Sequence, residues 1–128
     1  MSFDFVGVDH IQLAAYEGCE PEARLFFGEL LGWVEIPKPD NLRHRGGLWF
    51  QCGAHQVHIG VQKDFVPATK AHPAFEVRNL DDLRRHLKER NVQAVDDDAR
   101  EDENVRRFYA YDPFGNRLEF LEWGSNER

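Results

Sequence analysis

Short stretches of alternating apolar and polar residues run along the chain, broken by two stretches with helical spacing. Residues 5–15 (FVGVDHIQLAA) read as a strand, with His10 and Gln12 on one side and Ile11 and Leu13 on the other. Residues 20–31 read as a helix. Ala23, Phe26, Phe27, Leu30 and Leu31 make its apolar stripe, Pro21 suits its first turn and Gly32 its end. Trp33 to Ile36 predict a short strand and residues 38–47 a polar loop. Leu48 to Cys52 and Gln56 to Gln62 predict a hairpin around Gly53-Ala54-His55. After the connector 63–71 the order starts again. Residues 72–77 (HPAFEV) predict a strand. Asn79 can cap a helix that runs to about Arg90 and ends at Asn91. Val92 to Val95 predict a short strand and Asp96 to Glu103 an acidic loop. Arg106 to Tyr111 and Arg117 to Trp123 predict a second hairpin around Asp112-Pro113-Phe114-Gly115.

The order strand–helix–strand–strand–strand thus occurs twice, at a nearly constant offset. His10 to His72 and Gly53 to Gly115 are 62 residues apart; Phe26 to Leu87 and His58 to Glu119 are 61 apart. The expectation is an α+β fold: two βαβββ modules, about 5–62 and 72–123, forming curved mixed sheets that enclose a cup-like site within one domain spanning 1–128.

Composition narrows the partners. With 16 Lys and Arg against 23 Asp and Glu the net charge is −7, and there is no basic run, which argues against nucleic acid. No apolar stretch is long enough to span a membrane. The N-terminal residues lack the features of a secretory signal, so a cytoplasmic protein is expected. Two Cys cannot form a thiolate zinc site, whereas six His in an acidic chain call for an explanation.

The repeat supplies one. His10 and His72 fall on the first strand of each half, and His58 and Glu119 on the last. Strand parity sets the three His apart from the apolar face, while the alternation around Glu119 is less regular. Three imidazoles and a carboxylate converging on one point would hold a divalent metal such as Zn, Ni, Co, Mn or Fe; two His and one carboxylate also suit non-haem Fe(II) oxygenases. His44, His55 and His86 read as solvated. Gln12, Gln62 and Glu76 are candidates for groups behind the ligands or touching substrate. Trp49, Phe50, Tyr109, Tyr111 and Trp123 read as packing residues. Cys19 precedes a helix but has no basic partner nearby in sequence, so a catalytic thiol is not expected.

The segments VDHIQLA (8–14), EARLFFGELLGW (22–33), HPAFEVRNLDDL (72–83) and YDPFGNRLEFLE (111–122) resemble the vicinal oxygen chelate superfamily, and within it the small glyoxalase/bleomycin-resistance/dioxygenase-type proteins. The resemblance covers the whole chain and is most specific at DP-x-GN-x-LEF. It implies paired βαβββ modules, ligands at His10, His58, His72 and Glu119, and a homodimer. Glyoxalase I-like members usually carry Glu where this chain has His58. In three-ligand members, such as extradiol dioxygenases and fosfomycin-resistance thiol transferases, the ligands would be His10, His72 and Glu119, with His58 a fourth ligand or an acid/base.

The expected function is that of a metal-dependent lyase or isomerase of glyoxalase-like type. A small substrate would chelate the metal through adjacent oxygens, the metal would act as Lewis acid, and Glu119 or His58 would be the catalytic base. Two alternatives stand beside it. One is an Fe(II) extradiol-type dioxygenase using His10, His72 and Glu119. The other is metal-free sequestration of a small molecule in an aromatic cup of Trp49, Phe50, Tyr109 and Trp123.

Overall fold

A computed structural model of the protein describes residues 2–124. The chain divides into two compact units, the first ending at Phe65 and the second beginning at Val66. In the first, β1 (His10–Ala15) leads into α1 (Glu20–Ala23), which continues without a break as a π-helical segment, Arg24–Leu30. Strands β2 (Val34–Ile36), β3 (Leu48–Cys52) and β4 (His55–Val61) follow, and the sheet order is β1-β4-β3-β2. In the second unit, β5 (Ala74–Glu76) is followed by α2 (Leu80–Glu89), β6 (Val95–Asp97), β7 (Val105–Tyr111) and β8 (Arg117–Trp123), in the order β5-β8-β7-β6. Each unit is therefore one open mixed sheet of the same connectivity. The parallel pairs are β1 with β4 and β5 with β8; the remaining pairs are antiparallel. The α+β fold and its βαβββ repeat are as the offset predicts.

Parity fixes what each sheet face carries. In the first unit Phe50 and Val57 are fully buried, and Phe27 of the helical segment packs against Phe50 at 5.8 Å between ring centroids. In the second unit Phe108, Leu118, Phe120, Leu80 and Leu87 are buried, with Phe108 and Phe120 in ring contact. Apolar area removed from water on these faces is the main force that joins each helix to its sheet. The odd-numbered residues of β3, β7 and β8 point the other way, and they include Trp49, Tyr109 and Glu119.

Several boundaries differ from the sequence expectation. Residues 5–9 stay outside the sheet: β1 begins at His10 opposite Gln56, and β4 extends back only one residue further, to His55. The loop 38–47 contains a 3-10 helix, Asp40–Arg45. It is tied down where Gly47 N–H donates to Glu20 Oε2 at 2.6 Å, and Gly47 sits at φ 83° with Ile59 O where a Cβ would lie. The strand expected at Val92–Val95 starts only at Val95, because Val92 N–H turns back to Leu87 O at 2.8 Å. Part of the acidic stretch after it, Glu101–Glu103, is a 3-10 turn. Asn79 does not cap α2 with its side chain. It lies at φ 65°, and Glu122 on β8 takes its place, accepting from Asn79 N–H at 3.0 Å and Leu80 N–H at 3.1 Å. Among the described residues, no helix is long and apolar enough to cross a membrane.

Candidate functional site

The first unit brings His10 and His58 together. Their rings stack at 4.2 Å with 20° between planes, and the other face of His58 lies flat on Trp49 at 3.8 Å and 2°. The register explains this: Gln12, His58 and Trp49 sit side by side on β1, β4 and β3, and His10 is one pleat back on the same side. His58 is only 6% exposed, and its Nε2 donates to Gln56 Oε1 at 2.9 Å, so the neutral ring keeps its lone pair on Nδ1. Burial, reinforced by the charge His10 can carry, pushes the His58 pKa below the ordinary histidine range. Asp9 Oδ2 stands 2.9 Å from His10 Nδ1 and leaves Nε2 of that ring open. Gln12 extends over Gly60, where a Cβ would come within 2.1 Å of its amide nitrogen.

The second unit brings His72 and Glu119 together, with His72 Nε2 at 2.9 Å from Glu119 Oε1. The other ring nitrogen, Nδ1, faces Lys70 O at 2.8 Å. Both neighbours are oxygens that accept and do not donate, and a neutral imidazole has a single N–H. Imidazole and carboxylate set side by side in this way are both groups that ligate a divalent cation. Glu119 is 4% exposed, a depth at which a carboxylate needs partners. Arg107 supplies one, its Nη1 donating to Glu119 Oε2 at 3.4 Å while Nη2 reaches Asp97 at 3.3 Å. Tyr109, paired with Glu119 in the sheet register, meets the His72 ring edge-on at 5.3 Å.

The donor set fits a divalent transition metal. Imidazole nitrogens oriented by a carboxylate or a carbonyl behind them, next to a buried carboxylate, are the ligand chemistry that such ions take. Within neither unit do the described residues gather three metal-holding His, Cys, Asp or Glu side chains; each holds a pair. Of the remaining histidines, His44 and His55 are exposed and His86 is half-buried on α2. Gln62 and Glu76 are exposed. Cys19 is buried, and that burial raises its thiol pKa, the reverse of what a nucleophile needs. The aromatic set also divides. Phe50 is buried against Phe27 on the helix side, Trp49 is taken up by His58, and Arg100 covers Trp123 at 5.2 Å. Sequence reasoning missed Gln56, Arg107 and Arg117. A signal for two of them was present: Gln56 and Arg117 are 61 residues apart, the same offset as His58 and Glu119.

The comparisons with known proteins agree with this fold. Residues 3–120 match the Glyoxalase/Bleomycin resistance protein/Dioxygenase superfamily, and the chain belongs to that superfamily. A Bacillus anthracis protein ascribed to the glyoxalase family is 50% identical, with a TM-score of 0.92 over 97% of this chain and 100% of that one. The lactoylglutathione lyase of Agrobacterium tumefaciens is 16% identical, with a TM-score of 0.72 over 91% of this chain and 93% of that one. The fosfomycin resistance protein FosX of Listeria monocytogenes is 19% identical, with a TM-score of 0.70 over 98% and 97%. The last two share the fold. No curated protein matches the sequence significantly.

Proposed function

We propose that the protein is a metal-dependent enzyme of glyoxalase-like type, acting on a small substrate that chelates through two adjacent oxygens. His10, His58, His72 and Glu119 would hold a divalent ion, drawn from Zn, Ni, Co, Mn and Fe. When bound, such an ion supplies a Lewis acid for a substrate oxygen. The observation that carries the reading is the placing of the His72 imidazole, with Nε2 2.9 Å from the buried carboxylate of Glu119, two groups of the kind that ligate such ions. The chain's own groups do the rest. Arg107 holds Glu119 Oε2 and leaves Oε1 turned toward His72. His58, kept neutral by burial, has its Nδ1 lone pair to offer the ion while Gln56 steadies the opposite edge of its ring, which leaves Glu119 as the base for a substrate proton. Homodimerisation and a cytoplasmic location belong to the same proposal.

The test is metal content and titration. The purified full chain is expected to bind about one divalent ion per chain. His10→Ala and Glu119→Gln are each expected to weaken binding by roughly a hundredfold or more, since each removes a ligand rather than a group behind one. Negligible binding in all three proteins overturns the proposal.

A second reading is favoured by the Gln56 contact, which already occupies Nε2 of His58. Here His10, His72 and Glu119 are the ligand set for Fe(II), and His58 acts only as acid/base in ring-cleaving oxygenation. Oxygen uptake with catechols after anaerobic Fe(II) loading supports it, and no uptake across a catechol panel rejects it.

A further inference from the structure

We infer that Arg117 is a binding point for an anionic group of the substrate, a carboxylate or a phosphate-type oxyanion, beside the His72–Glu119 pair. Arg117 lies on β8 two residues before Glu119, on the same side of the sheet and roughly 7 Å along the strand. Its guanidinium lies over the Tyr109 ring at 4.9 Å, and Tyr109 in turn touches His72. Stacking of this kind takes up the face of a guanidinium and leaves its N–H groups, which lie in the plane, free to donate. The Nε of Arg117 is buried and has no acceptor, and the residue meets no carboxylate among the described residues.

Two other arginines sharpen the point. Arg84 and Arg107 also have a buried Nε without an acceptor, but their terminal nitrogens reach carboxylates, Asp81 and Asp96 for Arg84 and Asp97 and Glu119 for Arg107. Arg117 has the same partial burial with no counter-charge, in a chain whose net charge is −7. A charge taken out of water without a partner is unfavourable. The fold does not demand it either: the equivalent position in the first unit is Gln56, a neutral side chain engaged with His58. An oxyanion at the terminal nitrogens of Arg117 supplies the missing counter-charge, and the planar fork of the guanidinium matches either candidate group.

The role in substrate binding rests on the proposed function; the anion site is testable apart from it. The experiment uses the full chain, metal-free and 15N-labelled, titrated with inorganic phosphate and separately with succinate at ionic strength held constant with chloride. The Arg117 Nε–H resonance is expected to shift saturably with at least one anion, and the anion that works identifies a phosphate-type or a carboxylate substrate. Read at the backbone amide of Leu118, which every variant keeps, Arg117→Gln is expected to weaken that binding at least tenfold. Arg117→Lys, which keeps the charge without the fork, is expected to fall between. Arg117→Gln still binds divalent metal as the wild type does, so a failure of the metal proposal and a failure of this one are read separately. No saturable shift with either anion, or equal binding by Arg117→Gln with its circular dichroism unchanged, overturns the inference.

Discussion

His58 and Glu119 hold equivalent places on the last strands of two units with the same strand order, yet their surroundings are built on different principles. His58 is neutral and packed between two rings, with a single amide at its edge. Glu119 carries charge, and two cationic or polar partners, Arg107 and His72, close around it. A buried neutral ring is satisfied mostly by contact, and each contact can be lost separately. A buried carboxylate is satisfied by donors that themselves depend on it. The repeat has kept the backbone and changed the means by which a polar side chain is held, so the second unit should be the brittle one.

Removing the buried group from each unit breaks or confirms this contrast. Glu119→Leu leaves Arg107 with Asp97 alone and His72 without its carboxylate, and is expected to lower unfolding stability by about 3–5 kcal/mol. His58→Leu keeps the volume between His10 and Trp49 and loses one hydrogen bond, which is expected to cost about 1 kcal/mol. Urea denaturation of the metal-free protein, followed by circular dichroism, measures both. Arg107→Met on top of Glu119→Leu should recover part of the loss, because the orphaned cation is then gone. Equal costs for the two single variants would end the comparison.

The loop of the first unit gives the next largest effect and shows where reading the sequence stops. Its 3-10 turn is held by Gly47, whose positive φ and contact with Ile59 O admit no side chain. Gly47→Ala is expected to cost about 2–3 kcal/mol in the same denaturation experiment, from backbone strain and displacement of β4. Sequence showed Gly46-Gly47 in a loop but not the carbonyl pressed against it. The same division runs through the whole chain. Periodicity and the constant offset are local or nearly local signals, and they gave the two units and the side on which His10 and His58 lie, whereas His72, expected on a strand over 72–77, stands two residues before β5. What they could not give depends on a partner distant in sequence. Residues 5–9 alternate like a strand, but β4 begins too late to pair with them, and Phe5 and Val6 are left exposed. Asn79 has the chemistry of a cap, but the backbone places it at positive φ and a carboxylate from β8 arrives instead. Arg107 reads as an ordinary exposed strand residue until Glu119 and Asp97 are found on either side of it.

The smallest effect concerns how each unit starts its helix. In the first, Glu20 stands at the helix start and its carboxylate reaches out to Gly47 N–H. In the second, the carboxylate comes from outside: Glu122 accepts from Leu80 and Asn79 N–H groups, and these two bonds, Leu80 first, hold its pKa below the ordinary carboxylate range. Glu122→Gln removes the charge and leaves one weaker acceptor, so it is expected to cost about 1 kcal/mol at neutral pH. The sign of the pH dependence follows from the depressed value. The contribution of Glu122 is fully present above the ordinary carboxylate range and disappears as pH falls through the folded-state pKa, where the native carboxylate takes up its proton. Wild type and Glu122→Gln should therefore differ most near pH 7 and converge toward pH 3 in parallel denaturations. Glu20→Gln should show the same sign, since Gly47 N–H lowers the Glu20 pKa in the same way. A gap at Glu122 that stays constant across that range would mean that shape rather than charge starts α2, and that the two helices begin by the same rule after all.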